Sequence, residues 1–239
     1  MSVRVAILID GGFLLKRLAT VRPDIDKADP QKVDVAIGQL VKTHLKKVAR
    51  QAGAPSPISV LYRCFYYDAM PYLGKGHLPV TKASIDYSKT PEARFRLGLF
   101  DLLRKRPSFA LRLGEVRRER SWVLREDAQK ALLKGTIQPS ALTDAHFTPG
   151  FRQKAVDMRL GVDIASLTLK RQANCIILVT GDSDFVPAAK LARREGVQVI
   201  LDPLWSSVNG DLFEHIDGLR SGFYRPGAPL NAMDESDEP

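Results

Sequence analysis

The chain has 239 residues, 44% of them hydrophobic, enough to bury the core of one globular domain with insertions or of two small ones. Its 36 Lys and Arg against 27 Asp and Glu give a formal net charge of +9; Asp234, Glu235, Asp237 and Glu238 put acid near the C-terminus, so the body is more basic still, which suits a polyanionic partner such as nucleic acid or an acidic membrane surface. Two cysteines far apart exclude a zinc quartet and a disulfide framework, and no apolar run approaches the ~20 residues that span a bilayer.

In chain order, residues 3–9 read as a strand buried on both faces, ending at Asp10. The run is too short for a signal-peptide core and closes on an acid, which with Cys64 and Cys175 as small core residues leads us to expect a soluble, cytoplasmic protein with no membrane partner. Gly11-Gly12 and a short helix from Phe13 to about Thr20 follow. Asp29-Pro30 has the form of an N-cap with proline at the first helical position, and Val33, Ile37, Leu40, Val41, His44, Leu45 and Val48 recur at helical spacing. On that stripe His44 is read as a packed residue rather than a ligand. Gly53 to Pro57 breaks the helix, and Ile58 to Tyr67 is rich enough in β-branched and aromatic residues to be a second strand.

The middle is less regular. Asp68 to Thr90 reads as a long loop containing Gly74-Lys-Gly76, residues 91–106 as a helix, Phe109 to Leu113 as a short strand, and 135–150, with Gly135, Pro139, Pro149 and Gly150, as loop. Leu160, Ile164 and Leu167 then share one helical face; Cys175–Thr180 is a strand, Val186–Glu195 a helix stopped by Gly196, and Val197–Leu201 another strand. Links this short imply a right-handed βαβ crossover, and the alternation as a whole an α/β fold with a central, mainly parallel sheet flanked by helices. After Arg225 the chain turns Pro/Gly-rich and acidic, and 226–239 are expected to be a disordered tail.

Ligands of parallel α/β sheets bind beyond the carboxyl ends of the strands. Asp10 ends the first strand, Asp182 and Asp184 follow the strand at 175–180, and Asp157 and Asp163 lie in the helix before it. Each acid has a structural use of its own: Ser183 or Asp184 could cap the next helix, Asp10 open a turn, and Asp157 serve as an N-terminal helix acid. Gathered at one sheet end, however, carboxylates repel by roughly 4 kcal/mol per pair at 4 Å and an effective dielectric constant of 20, a cost that a cation offsets. Oxygen donors suit Mg²⁺ or Mn²⁺ rather than zinc. Asp157 and Asp163, about 9 Å apart along an ideal helix and on different faces, would not grip one ion together, so Asp157 is the nearer ligand and Asp163 a second-metal group, a water-binding group or a support behind the ligands. Acid at the centre with Arg94, Arg104, Lys105, Arg106, Arg117, Arg118 and Arg120 around it suits phosphodiester chemistry, the basic 94–125 stretch guiding a nucleic acid backbone. No P-loop lysine or Ser-His-Asp signature is present, and Gly12 stands where an aspartyl-phosphate hydrolase needs a second acid.

Three blocks resemble the NYN domain family of the PIN-like nuclease superfamily: Ile9-Asp10-Gly11; Lys154-Ala-Val-Asp157-Met-Arg-Leu160-Gly-Val-Asp163; and Thr180-Gly-Asp-Ser-Asp-Phe185 with Gly196-Val-Gln-Val199. Tyr66-Tyr-Asp68 is a further similarity. The blocks span 1–68 and 154–217 of a single domain over 1–225, leaving 69–153 as a basic insertion. The resemblance implies a three-layer PIN-like fold and a metal-dependent endoribonuclease using Mg²⁺ or Mn²⁺, with Asp10, Asp157, Asp182 and Asp184 as the catalytic, metal-binding centre and Asp163 close by. Lys154, just before the acidic helix, is either a phosphate contact or, as is commoner, a surface lysine. RNA is favoured over DNA as the partner, and a homodimer is left open. The family's Asn shortly after the first Asp is replaced here by Gly11-Gly12-Phe13. The alternative function is a non-catalytic RNA-binding or regulatory module that keeps the acidic pocket.

Overall fold

A computed structural model describes residues 2–227, apart from the side chains of residues 119–121; the expected tail lies outside this range from 228 onward. Strand β1 (Val5–Asp10) is apolar to its last residue and buried from Val5 to Ile9. Helix α1 (Gly11–Val21) follows at once, and α2 (Pro30–Gln51) starts as its sequence signal demands, with the Asp29 carboxylate accepting from the amide of Gln31. A 3₁₀ turn at Pro57–Val60 takes up the start of the expected second strand, which runs as β2 (Leu61–Met70).

The stretch 68–90 is not a plain loop. It carries an antiparallel hairpin of β3 (Lys75–His77) and β4 (Ser84–Asp86), closed by the bond from the Tyr87 amide to the Gly74 carbonyl. After α3 (Pro91–Arg104), strand β5 (Phe109–Leu124) is three times the expected length, because its second half leaves the parallel sheet and pairs with a strand read as loop. Helix α4 (Glu126–Leu133) leads to that strand, β6 (Phe147–Lys154), the antiparallel edge of the sheet. Pro149 is tolerated there because an edge strand need not donate outward. The remaining elements are α5 (Val156–Leu169), β7 (Cys175–Val179), α6 (Val186–Arg194), β8 (Gln198–Asp202), α7 (Gly210–Glu214) and β9 (Gly218–Leu219).

The sheet order is β6-β5-β2-β1-β7-β8-β9, parallel except for β6. Alternate strand residues feed two cores. Ile7, Ile9, Cys64, Tyr66 and Ile177 pack with α1, α2 and α3; Leu8, Phe65, Tyr67, Ile176 and Leu178 pack with α5, α6 and α7. This is the α/β three-layer architecture with a large, mostly parallel central sheet. From β1 the chain builds one way through β2 and β5, and later the other way from β7 through β8 to β9. The junction of β1 and β7 is therefore a topological switch point, where diverging connections leave a crevice at the carboxyl edge. Among the described residues no helix is long and apolar enough to cross a membrane.

Candidate functional site

Asp10 stands at this switch point, opposite Tyr67 of β2 and next to the end of β7. Its Oδ1 accepts from the Phe13 amide at 3.0 Å and its Oδ2 from the Thr180 hydroxyl at 3.2 Å. The acid thus caps α1 and is aimed by a buried threonine of the next strand's end. Close approach is built in: a Cβ on Gly11 would meet the Tyr66 ring at 2.5 Å, and one on Gly181 the Phe13 ring at 2.7 Å. A side chain at position 11 is thereby excluded, whatever its chemistry.

Asp182 follows Gly181, and its Oδ1 accepts from the Asp184 amide at 2.9 Å, so it caps the 3₁₀ turn Ser183–Phe185. The helix that follows, α6, has Phe185 at its N-cap and no side-chain cap, so neither Ser183 nor Asp184 caps it. Asp157 lies in the first turn of α5, which begins sharply after Ala155 in the left-handed conformation (φ 67°) and has no side-chain cap. Burial raises the Asp10 carboxyl above the usual carboxylate range, with the charges of Asp157 and Asp182 adding to it. Asp157 is raised too, by burial and then by Asp182 and Asp184. Asp10, Asp157, Asp182 and Asp184 are thus electrostatically one group drawn from three elements.

Asp163 has other partners. Its Oδ2 accepts from the Tyr67 hydroxyl and from Arg112 Nε, each at 2.9 Å, tying α5 to β2 and β5.

Another acid was quoted in the sequence without a role. Asp68, 1% exposed at the end of β2, accepts from the Ala69 amide at 2.7 Å and forms a close ion pair with Arg96 of α3. Burial, against the opposing charge of Arg96, pushes its carboxyl up to about 6, and Asp10 contributes to the rise. Its Oδ2 and the neighbouring Tyr66 hydroxyl are both buried without a well-formed hydrogen bond. Arg96 also holds Glu92 one helical turn away, and that i,i+4 pair was the signal in the sequence that could have marked it.

The basic residues divide. Arg94 is exposed in the first turns of α3, and the pair Arg96–Asp68 anchors that helix end at the carboxyl edge. Arg117 and Arg118 lie on β5 beyond Glu115, the partner of the last residue of β2, on the same side as the acids; Arg117 pairs with Glu115. Lys154 is exposed at the end of β6. Arg104, Lys105 and Arg106, by contrast, precede the start of β5 at the opposite edge, and Arg106 is held by both carboxylate oxygens of Asp34. The fold does not bring them to the acids. The Arg120 side chain lies outside those described. A hollow of about 780 Å³ bordered by Arg193, Arg194 and His215 is also at that far edge, by the start of β8.

The donor set fits a hard divalent cation: carboxylate oxygens only, with Asp157 and Asp182 adding to the rise of Asp10, and Asp182 and Asp184 to that of Asp157. Among the described residues, however, no three His, Cys, Asp or Glu side chains stand close enough to hold a metal ion as a group. Gathering them on one ion takes rotation of the more exposed Asp157 and Asp184.

Residues 98–208 match the model of the NYN domain family. The match takes in Asp157, Asp163, Asp182 and Asp184, together with residues 98–153 of the basic middle region; Asp10 lies outside it. No curated protein matches the chain. Among solved structures, a crystal structure of a protein of unknown function from Vibrio parahaemolyticus is similar, at 13% identity and a TM-score of 0.46, covering 93% of this chain and 96% of that one.

Proposed function

We propose, from the match of residues 98–208 to the NYN domain family, that the protein is a PIN-like metal-dependent nuclease, an endoribonuclease that hydrolyses phosphodiester bonds at the crevice between β1 and β7. The observation that carries this reading is that the charges of Asp157 and Asp182 act on the largely buried Asp10 at the sheet's switch point. Asp10, Asp157, Asp182 and Asp184 would hold Mg²⁺ or Mn²⁺, which supplies Lewis acidity at the phosphoryl group and makes water a stronger nucleophile.

The chain's own residues do the positioning. Thr180 and the Phe13 amide hold Asp10 in one orientation, and the Asp184 amide does the same for Asp182, so the two inner carboxylates need little reorganisation. Asp184, exposed at the rim, orients the attacking water. Water adds to phosphorus as the bond from phosphorus to the 3′ oxygen breaks, leaving a 5′-phosphate and a 3′-hydroxyl. Arg94, Arg118 and Lys154, on the same side, hold the strand by its phosphates. The open spacing of the acids favours a second reading, a non-catalytic RNA-binding module.

The test incubates end-labelled single-stranded and structured RNA, with DNA in parallel, in Mn²⁺, Mg²⁺ or EDTA, beside Asp10→Asn and Asp182→Asn. We expect metal-dependent cleavage of RNA, lost in EDTA and lowered more than about 100-fold in each variant, beyond what loss of an outer-shell partner costs. Cleavage that survives either substitution would overturn the assignment. RNA binding without metal-dependent cleavage would favour the second reading.

A further inference from the structure

Next to Asp68, between the end of β2, the segments flanking the β3–β4 hairpin, α3 and the strands β5 and β6, lies a cavity of about 450 Å³. Its walls include three aromatic rings packed on one another: Tyr72 and Tyr87 at 5.3 Å between centroids, Tyr72 and Phe151 at 5.3 Å, and Tyr87 and Phe151 at 5.2 Å. Arg96, Glu92 and Gln153 add polar groups to the lining. A largely apolar hollow beside three packed rings, with a few polar groups at its wall, has the form of a small-ligand site. Its volume lies within the roughly 300–1,000 Å³ usual for small-ligand sites.

Three features indicate the occupant. Flat aromatic faces stack on nucleobases, since every base offers a π-face, and side-chain amides and charged groups pair with base edges. Arg118 lies over the Tyr87 ring at 5.6 Å and near Trp122 at 5.9 Å, bringing positive charge to the same wall, where a phosphate would pass. The Tyr87 hydroxyl is buried without a hydrogen-bond partner. The cavity adjoins the acidic centre through Asp68: Ala69 and Arg96 line it, and both bind Asp68, on which the charge of Asp10 acts. The backbone amide of Tyr87 donates to the Gly74 carbonyl, and the Tyr72 ring lies against Gly74, where a Cβ would strike it.

We propose that this cavity receives one unpaired nucleobase of the substrate strand next to the bond to be cut, so that the protein selects single-stranded over paired nucleic acid. The proposal rests on nucleic acid being the substrate, as argued above. A base inside a duplex is stacked and paired and cannot enter a walled pocket without being extruded.

The experiment reads binding in EDTA, apart from cleavage. Short single-stranded RNAs carrying 2-aminopurine at successive positions are titrated with protein, and the same positions are then made abasic. We expect fluorescence quenching confined to one position, with the abasic sugar there weakening binding roughly 5- to 150-fold, the range for loss of one base–aromatic stack. Phe151→Ala and Tyr72→Ala, checked for folding by thermal melting, should weaken the intact strand similarly and the abasic strand little. The matching duplex should bind more weakly than the single strand. Equal quenching at every position, or abasic strands bound like the intact one, would overturn the subsite even if metal-dependent cleavage is found. Localised quenching without cleavage in Mn²⁺ would support the subsite and remove the nuclease reading. Competition by a free aromatic peptide, but not by single-stranded RNA, would overturn it in favour of a protein partner.

Discussion

Asp68 shows how one buried carboxylate sets a pH dependence. Its pKa, raised by burial to about 6 in the folded protein against 3.8 for the free group, means that between these values the native state holds a proton that the unfolded chain has released. The unfolding free energy therefore falls as pH rises through this window. The stability contributed by protonated Asp68 is fully present below about pH 4 and lost above about pH 6. The difference is on the order of 3 kcal/mol. We expect Asp68→Asn, which cannot titrate, to gain stability relative to the parent protein between pH 4.5 and 7, measured by denaturant unfolding at both values. Equal changes in the two proteins would mean that Arg96 keeps Asp68 ionised throughout. Arg96 itself is the guide to this residue: a guanidinium half-buried on a helix needs a carboxylate from another element.

At the scale of elements, the junction of β5, β6 and α5 decides where Asp157 sits. Gly114 lies where β5 passes the end of β6, and a Cβ there would strike the Lys154 carbonyl oxygen and stand 2.8 Å from Val156 Cγ2. Both neighbours belong to the sharp turn through Ala155 that starts α5, so neither can yield freely. Gly114→Ala should cost about 1–3 kcal/mol, as overpacking of a tight site does, read as a lowered denaturant midpoint with unchanged m-value. An unchanged midpoint would show that the turn relaxes. The length of β5 and the existence of β6 were not legible in the residues themselves. Arg117, Arg118 and Arg152, with Pro149 and Gly150, lack the apolar alternation of a half-buried strand, and only mutual pairing in the arm makes them extended. The β3–β4 hairpin was missed for the same reason: three residues a side carry no period.

For the whole molecule, a fully buried polar knot joins segments far apart in the chain. His44 Nε2 of α2 is 2.8 Å from Asp202 Oδ2 at the end of β8, and the Asp202 carboxylate also accepts from the amides of Leu204 and Gly222, each at 2.8 Å. Asp202 is thus an acid at the carboxyl edge that is spent on structure, in contrast to Asp10. Asp202→Ala would orphan three buried donors at about 1–3 kcal/mol each. We expect a loss of at least about 3 kcal/mol in unfolding free energy, with faster hydrogen exchange at the Gly222 amide. A loss below about 1 kcal/mol would mean that water replaces the carboxylate.

The sequence alone determined the layered α/β fold, the capped start of α2, the βαβ unit around β7 and β8, and the packed character of His44. These rest on periodicity and end signals that act over a few residues. It also marked Asp10, Asp157, Asp182 and Asp184 as acids at strand and helix ends. Only the tertiary structure decided that Asp163 is taken by Tyr67 and Arg112, that Arg106 is held by Asp34 at the wrong edge, and that Asp202 is locked away while Asp68 stands beside the crevice. Those outcomes depend on which strands become neighbours. A carboxylate becomes a site, a clasp or a cap according to the charges and donors that the sheet order brings within a few ångströms, and that order is a non-local property of the chain.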